Sequence, residues 1–277
     1  MSSYAPYDKT AAHYDRTRWP IGVEIIVGCL AQGGVPLAEA TVLDAGCGTG
    51  NYARALLRHI ARIEALDRSA GMLEVAGRKL ADAVEDGRVV LHRGAIDALP
   101  LADGAVDGIL INQVLHHLPD DPDAGWPAHR RVFGECARVL RPGGVLVINT
   151  CSHAQTDNGF WTFHLIPQAR AEIRRRLMPL DALESALTAC AIDPRGRFVP
   201  VDAVLQGDDY LDPRGPLRAE WRAGDSIWAL VEAAELAEVE ARLRALDRRG
   251  ELAAYVAEHD ALRPQIGQVT LLYGIRR

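Results

Sequence analysis

The sequence predicts an α/β fold, one mostly parallel sheet with helices on both faces. Three observations carry the prediction. Short apolar runs alternate with helix-period segments from Thr41 to Asn149. The first run, Val42-Leu43-Asp44-Ala45, passes into glycines at alternate positions, Gly46, Gly48 and Gly50, and then into a helical pattern. Pro142-Gly143-Gly144 later stops a helix and turns tightly into another apolar run. Alternation of this kind means right-handed crossovers onto a sheet that is covered on both sides.

Before the glycine loop, residues 10–14 and 22–31 read as helices, the second with Val23, Ile25, Ile26, Cys29 and Leu30 as its apolar residues. Strands are expected at residues 41–44, 62–67, 89–93, 106–112 and 144–149, and helices at 52–59, 71–83 and 127–140. Beyond these, residues 181–190 read as an amphipathic helix, and 197–205 and 269–275 as strands. A strong helical pattern covers 227–246. The chain is expected to be a single domain over 1–277, with a cofactor-binding core at 1–150. Insertions at 151–180 and 208–264 are too long for plain loops and should hang over the C-terminal edge of the sheet as lid and substrate wall.

Composition narrows the function. The 277 residues are 48% hydrophobic and 25% charged, ordinary for a globular protein, and the net charge of −6 leaves no footprint for nucleic acid. No apolar run approaches the roughly 20 residues a membrane span needs. Met1-Ser2-Ser3-Tyr4 lacks the basic and apolar regions of a secretory signal, so the expectation is a cytoplasmic protein without membrane or nucleic-acid partners. Oligomeric state is left open. Five cysteines at irregular spacing, Cys29, Cys47, Cys136, Cys151 and Cys190, indicate neither a disulfide framework nor a zinc cluster. They read as small buried apolar residues, with a thiol role as the alternative.

The glycine loop suits a nucleotide-type cofactor, because glycine permits the tight turn and lets a ligand approach backbone amides. Its pattern is Asp44-x-Gly46-x-Gly48-x-Gly50, with the acid before the first glycine, rather than the G-x-G-x-x-G of dinucleotide sites. A second acid, Asp67, closes the run Ile63-Glu64-Ala65-Leu66-Asp67 and precedes Arg68-Ser69-Ala70-Gly71-Met72. A carboxylate about twenty residues beyond such a loop is placed to accept both ribose hydroxyls of an adenosine. These strings, with Gly94-Ala95-Ile96-Asp97, Val106 to Leu118 and Arg141-Pro142-Gly143-Gly144, resemble in order the motifs of class I S-adenosylmethionine-dependent methyltransferases of the small-molecule type. The resemblance is close from Tyr7 to Thr150 and weaker beyond.

That resemblance implies a Rossmann-like class I methyltransferase fold with a seven-stranded sheet whose last strand is antiparallel, and S-adenosyl-L-methionine as cofactor. It implies cofactor-binding roles for Tyr14, Asp44, Gly46, Cys47, Gly48, Asp67, Arg68, Met72, Ala95, Ile96, Asn112 and Gln113. The family commonly has an acid where this chain has Ala95. Adenine would then be held by backbone groups of Ala95 and Ile96, or by Asp97 if the loop shifts. Tyr7 could reach the methyl group or the substrate.

Methyl transfer from a sulfonium needs alignment and exclusion of water more than acid–base chemistry, since holding the reactants together can supply roughly 7 to 11 kcal/mol. A base is needed when the acceptor is an alcohol or phenol. His116 and His153 are the candidate catalytic residues, each following a strand tip, and His117 adjoins the first. The alternative for His116 is a structural residue in the turn before Pro119. A metal site built from the three histidines lacks a carboxylate at ligand spacing, so no metal is expected. Phe160-Trp161-Thr162-Phe163-His164, with Trp221 and Trp228, could wall a flat or apolar acceptor or pack the cap. Arg174-Arg175-Arg176 reads as a solvated helix face. The expected function is methyl transfer to a small-molecule metabolite, with oxygen the favoured acceptor atom and carbon, nitrogen, sulfur or arsenic behind it. A cofactor-binding protein without turnover and an NAD-linked oxidoreductase are the readings from other classes.

Overall fold

The computed structural model describes residues 19–277. The helix expected at residues 10–14, Tyr7 and Tyr14 lie outside the described residues. Helix α1 (Val23–Leu30) precedes strand β1 (Thr41–Ala45), and α2 (Asn51–Leu56) leads to β2 (Arg62–Asp67). Helices α3 (Ala70–Lys79) and α4 (Ala81–Glu85) then lead to β3 (Val89–Arg93), followed by β4 (Val106–Asn112), α5 (Pro127–Val139) and β5 (Leu140–Thr150). The sheet runs β3-β2-β1-β4-β5, continued by β7 (Thr270–Arg276) and the edge strand β6 (Ile192–Phe198). The first five strands pair in parallel, whereas β7 is antiparallel to both its neighbours. The expected sheet and its antiparallel last strand are therefore present.

Strand alternation sorts the core. Leu43, Ile109, Ile111, Leu146 and Ile148 face one side, where Val132, Phe133 and Val139 of α5 cover them. Val42, Ile63, Leu110, Val145 and Val147 face the other, against Ile26 and Leu30 of α1 and Leu56 of α2. A third cluster lies apart from both faces. It joins residues of the two insertions, among them Trp161, Tyr210, Trp228, Val239 and Leu243, into a helical cap with its own core. The cap comprises α6 (His153–Asn158), α7 (Pro167–Arg176), α9 (Ala219–Arg222), α10 (Ala233–Arg248), α11 (Leu252–His259) and α12 (Arg263–Ile266); α8 (Leu180–Ala189) instead packs on the sheet with α5. No helix among the described residues is long and apolar enough to cross a membrane.

Three expectations need correction. The sixth strand covers Ile192–Phe198 rather than residues 197–205. Its Pro194 and Gly196 flank a register shift on an edge strand, where a missing N–H and a weak apolar pattern are tolerated. The helical pattern at 227–246 is two elements: a 3-10 turn at Ser226–Leu230, capped by the Asp225 side chain on the Ile227 N–H, then α10 after extended backbone at Val231 and Glu232. Ile227 and Trp228 match a helical period only because both are buried in the cap. The single helix expected at residues 71–83 is two, because the chain breaks at Leu80 between α3 and α4.

Candidate active site

The loop after β1 is tied to the neighbouring strand, because the N–H groups of Gly46 and Cys47 both donate to the Leu66 carbonyl, at 2.8 and 2.9 Å. Gly46 has φ +89°, and a Cβ there would stand 2.5 Å from Val114 Cγ2, so no other residue fits without rearrangement. Gly48 also has a positive φ of +54°, but its missing Cβ would project into open space. Its N–H donates to Asp67 Oδ2 at 2.9 Å, while Asp67 Oδ1 accepts the Ser69 N–H at 2.8 Å.

Two carboxylates thus meet at this loop. Asp44 is 1% exposed and its Oδ2 has no hydrogen-bond partner among the described residues. Burial, and then the charge of Asp67, push its pKa up to about 7 against the pull of the Ala53 N–H. Burial also raises Asp67, opposed by the N–H groups of Ser69, Gly48 and Arg68. The Cys47 thiol is held well above its ordinary range by burial and by both carboxylates, so it stays protonated. Burial likewise raises Cys29, Cys136 and Cys190.

Across from the loop, the tips of β4 and β5 form a chain of amides. Asn149 Nδ2 donates to Asn112 Oδ1 at 2.7 Å, and Gln113 donates through its backbone N–H to the Asn149 carbonyl at 2.9 Å. Gln113 does so from a left-handed backbone, φ +54°, which marks it as strained for a side-chain-bearing residue. The 3-10 turn Leu115–His117 follows, with the rings of His116 and His117 4.1 Å apart.

Between these walls lies a cleft of about 1010 Å³, partly open to solvent, at the point where the chain winds to opposite sides from β1 and β4. Of the expected site residues, Asp44, Gly46, Cys47, Gly48, Asn112, Gln113 and His116 line it. Asp67 stands one hydrogen bond behind Gly48. Arg68, Met72, Ala95 and Ile96 do not line it: Arg68 is exposed, Met72 and Ile96 are buried in the fold, and Ala95 bridges to Ala98. Asp97 pairs with Arg131 at 3.3 Å.

His153, the other candidate base, stands apart from the cleft. It begins α6 with Nε2 2.9 Å from the Leu177 carbonyl, which requires that nitrogen to donate, and it is not part of the cleft lining. The aromatic string divides. Phe160 and Phe163 line the cleft and stack at 4.3 Å, while Trp161 turns into the cap, where its indole N–H donates to the Tyr210 carbonyl at 2.7 Å. Trp221 and Trp228 pack edge-on in the cap core. Arg174, Arg175 and Arg176 pair with Asp157 and Glu172 on the outer face of α7.

Sequence reasoning missed Trp19, Thr156, Leu205 and the stretch Asp225 to Ile227, all of which line the cleft. Their local sequence carries no motif, and only the tertiary fold brings them together there. Among the described residues, no group of three or more His, Cys, Asp or Glu side chains is placed to share a metal ion.

Comparison with known proteins agrees with this geometry. A family model described as a methyltransferase domain matches residues 43–148. A demethylmenaquinone methyltransferase of Clavibacter sepedonicus is 34% identical over 148 residues, 52% of this chain and 56% of that protein. A ubiquinone biosynthesis O-methyltransferase of Xylella fastidiosa is 35% identical over 118 residues, 42% of this chain and 44% of its own length. The chain spans about half the length of these curated relatives. A solved structure assigned by name to a methyltransferase from an antibiotic biosynthesis pathway of Anabaena variabilis has the same fold. It superposes with a TM-score of 0.72 at 23% identity, covering 94% of this chain and 99% of that one. Residues 43–148 thus form a methyltransferase domain, with the loop, the strand tips and the sheet order of the class I S-adenosylmethionine-dependent type.

Proposed function

We propose that this chain transfers a methyl group from S-adenosylmethionine to a small-molecule acceptor, with oxygen as the favoured acceptor atom. The observation that carries the reading is a single cleft with the glycine loop and buried Asp44 on one wall and His116, His117 and apolar cap residues on the other. The names of the two curated relatives support a small-molecule acceptor, and the second supports oxygen.

The residues present fit the cofactor. The unpartnered Oδ2 of Asp44 suits a cationic group, and the open space at Gly48 is where a side chain would obstruct a ligand. The Asp67 oxygens accept the Gly48 and Ser69 N–H groups, one on Oδ2 and the other on Oδ1, and the carboxylate keeps acceptor capacity for ribose hydroxyls. When bound, S-adenosylmethionine supplies an electrophilic methyl carbon whose bond to sulfur breaks with the electron pair left on sulfur.

The protein's own part is alignment. Asn112, Asn149 and Gln113 hold one another across the strand tips, so the cofactor wall that Asn112 and Gln113 form is rigid. The cap excludes water from the reacting atoms. The imidazole of His116 or His117, both in the lining, can take the proton released by a hydroxyl acceptor.

The test is incubation of the purified chain with methyl-labelled S-adenosylmethionine and a metabolite extract, alongside calorimetric titration of the cofactor. A labelled small molecule is expected. Tight cofactor binding with no labelled product from any source would replace the enzyme with a cofactor-binding protein, and binding of NAD in place of S-adenosylmethionine would overturn the family role as well.

A further inference from the structure

Six apolar side chains from separate parts of the cap converge on the cleft. Phe160 precedes and Phe163 lies within the 3-10 turn Trp161–His164, Ile173 and Leu177 lie on and just after α7, Leu205 follows β6, and Ile227 lies in the 3-10 turn Ser226–Leu230. All six are between 2% and 8% exposed. The two phenyl rings stand 4.3 Å apart and within 12° of parallel, an arrangement that presents aromatic surface already stacked and ordered.

This chamber is continuous with the cofactor wall, because the same cleft is lined by Asp44, Gly46 and Gly48, and His116 and His117 line it as well. An occupant of the chamber therefore lies next to the reacting centre.

We propose that the acceptor is an uncharged, flat, ring-bearing molecule whose ring is held by Phe160 and Phe163, and that these two residues set acceptor specificity. The inference rests on the methyltransferase reading and names its substrate class. Burial of a charged group against Phe, Ile and Leu side chains is costly, so a carboxylate or phosphate on the ring is disfavoured. A flexible alkyl chain can fill the same apolar volume but forfeits the aromatic contact and loses more rotational freedom on binding. A rigid ring bearing one hydroxyl meets the wall with its face and the histidines with its polar edge.

The test uses the full chain loaded with S-adenosylhomocysteine and three probes followed by equilibrium binding: 2-naphthol, 2-naphthoate and 1-decanol. Binding of 2-naphthol is expected to exceed that of the other two by about tenfold or more. Phe160→Leu keeps an apolar side chain and removes the ring. It is expected to weaken 2-naphthol by roughly three- to tenfold, the worth of one aromatic pair, and to leave S-adenosylhomocysteine and decanol affinities unchanged. Leu177→Trp, which fills the chamber, is the second variant, and it should abolish naphthol binding while cofactor binding persists.

Equal binding of decanol and naphthol, preference for naphthoate, or a Phe160→Leu variant with unaltered naphthol affinity would each overturn the proposal. Naphthol binding as expected, with no methyl transfer to any compound, would leave the chamber standing and sink the enzyme reading. Methyl transfer to an aliphatic metabolite without naphthol binding would do the reverse.

Discussion

In the proposed cofactor site, the buried Asp44 carboxyl would couple binding to pH. Its pKa in the folded chain, about 7, stands above the ordinary 3.8. Between those values the folded protein holds a proton that the unfolded chain has released. Its contribution to stability is therefore most favourable below about pH 4 and is lost as pH rises through about 7. A cationic cofactor favours the ionised carboxylate. Affinity for S-adenosylmethionine should thus rise from about pH 6 to about pH 8 with release of a proton, and Asp44→Asn should flatten that slope. The same variant should gain about 1 to 2 kcal/mol of stability at about pH 8, less than the full shift implies because the amide stays buried. Calorimetry in buffers of different ionisation enthalpy measures the proton release, and none in the wild type would remove Asp44 from the site. The role proposed for Asp67 is hydrogen bonding to the ribose instead. Asp67→Ala should weaken cofactor binding by about 1.5 to 3 kcal/mol, and an unchanged dissociation constant would overturn its ribose role.

At the level of elements, the turn that carries His116 and His117 is anchored to α5 by Asp120. The Asp120 carboxylate caps that helix from seven residues before its first residue, accepting the N–H groups of Ala128 at 3.1 Å and His129 at 2.8 Å. It also accepts the His129 Nδ1–H at 2.5 Å, with both side chains nearly inaccessible. Burial raises the Asp120 pKa, but the hydrogen bonds from the His129 ring and from the N–H groups of His129, Ala128 and Asp121 outweigh it and hold the group below its ordinary value. Burial lowers His129, with Asp120 opposing only in part. Both groups sit below their unfolded values, so their stabilisation is whole above about pH 6.5 and is lost as pH falls through the shifted values. Asp120→Ala should cost about 1.5 to 3 kcal/mol at neutral pH, the scale of losing hydrogen bonds to a charged acceptor. Urea denaturation measures it, and a loss below about 1 kcal/mol would show that the turn holds without this anchor.

Across the whole molecule, the cap is a second hydrophobic body held to the sheet at a few points. Gln155 is one. Its Nε2 donates to the carbonyls of Ile266 and Val269 and its Oε1 accepts from Thr270, joining α6 to the start of β7. Trp161 is the centre of the cap, fully buried, with its backbone N–H on the Tyr210 hydroxyl and its ring edge-on to Tyr210 and Tyr255. Trp161→Ala should lower stability by about 3 to 5 kcal/mol, as expected for a large aromatic removed from a core. Because the glycine loop belongs to a different core, acceptor turnover should fall by more than cofactor affinity. Parallel thermal melts and cofactor titrations check this, and an equal loss of both would mean that cap and sheet are one cooperative unit.

The cofactor half of the protein was readable from its residues because its information is local. A strand, three glycines and a carboxylate within one stretch prescribe a turn, and the backbone geometry at Gly46 and Gly48 follows from the absence of a Cβ. The five parallel strands announce themselves by continuous apolar runs that a doubly covered sheet demands. The edge strand at Ile192–Phe198 escaped because Pro194 and Gly196 erase that pattern where a sheet edge tolerates it. The acceptor wall was illegible for a deeper reason. Phe160 and Trp161 are adjacent, with similar chemistry, yet one lines the cleft and the other fills the cap. His153 follows a strand tip as His116 does, yet it spends its ring on the Leu177 carbonyl. No spacing rule separates these pairs, since their orientation depends on tertiary partners, Tyr210 for Trp161 and Leu177 for His153, that lie well outside their local sequence.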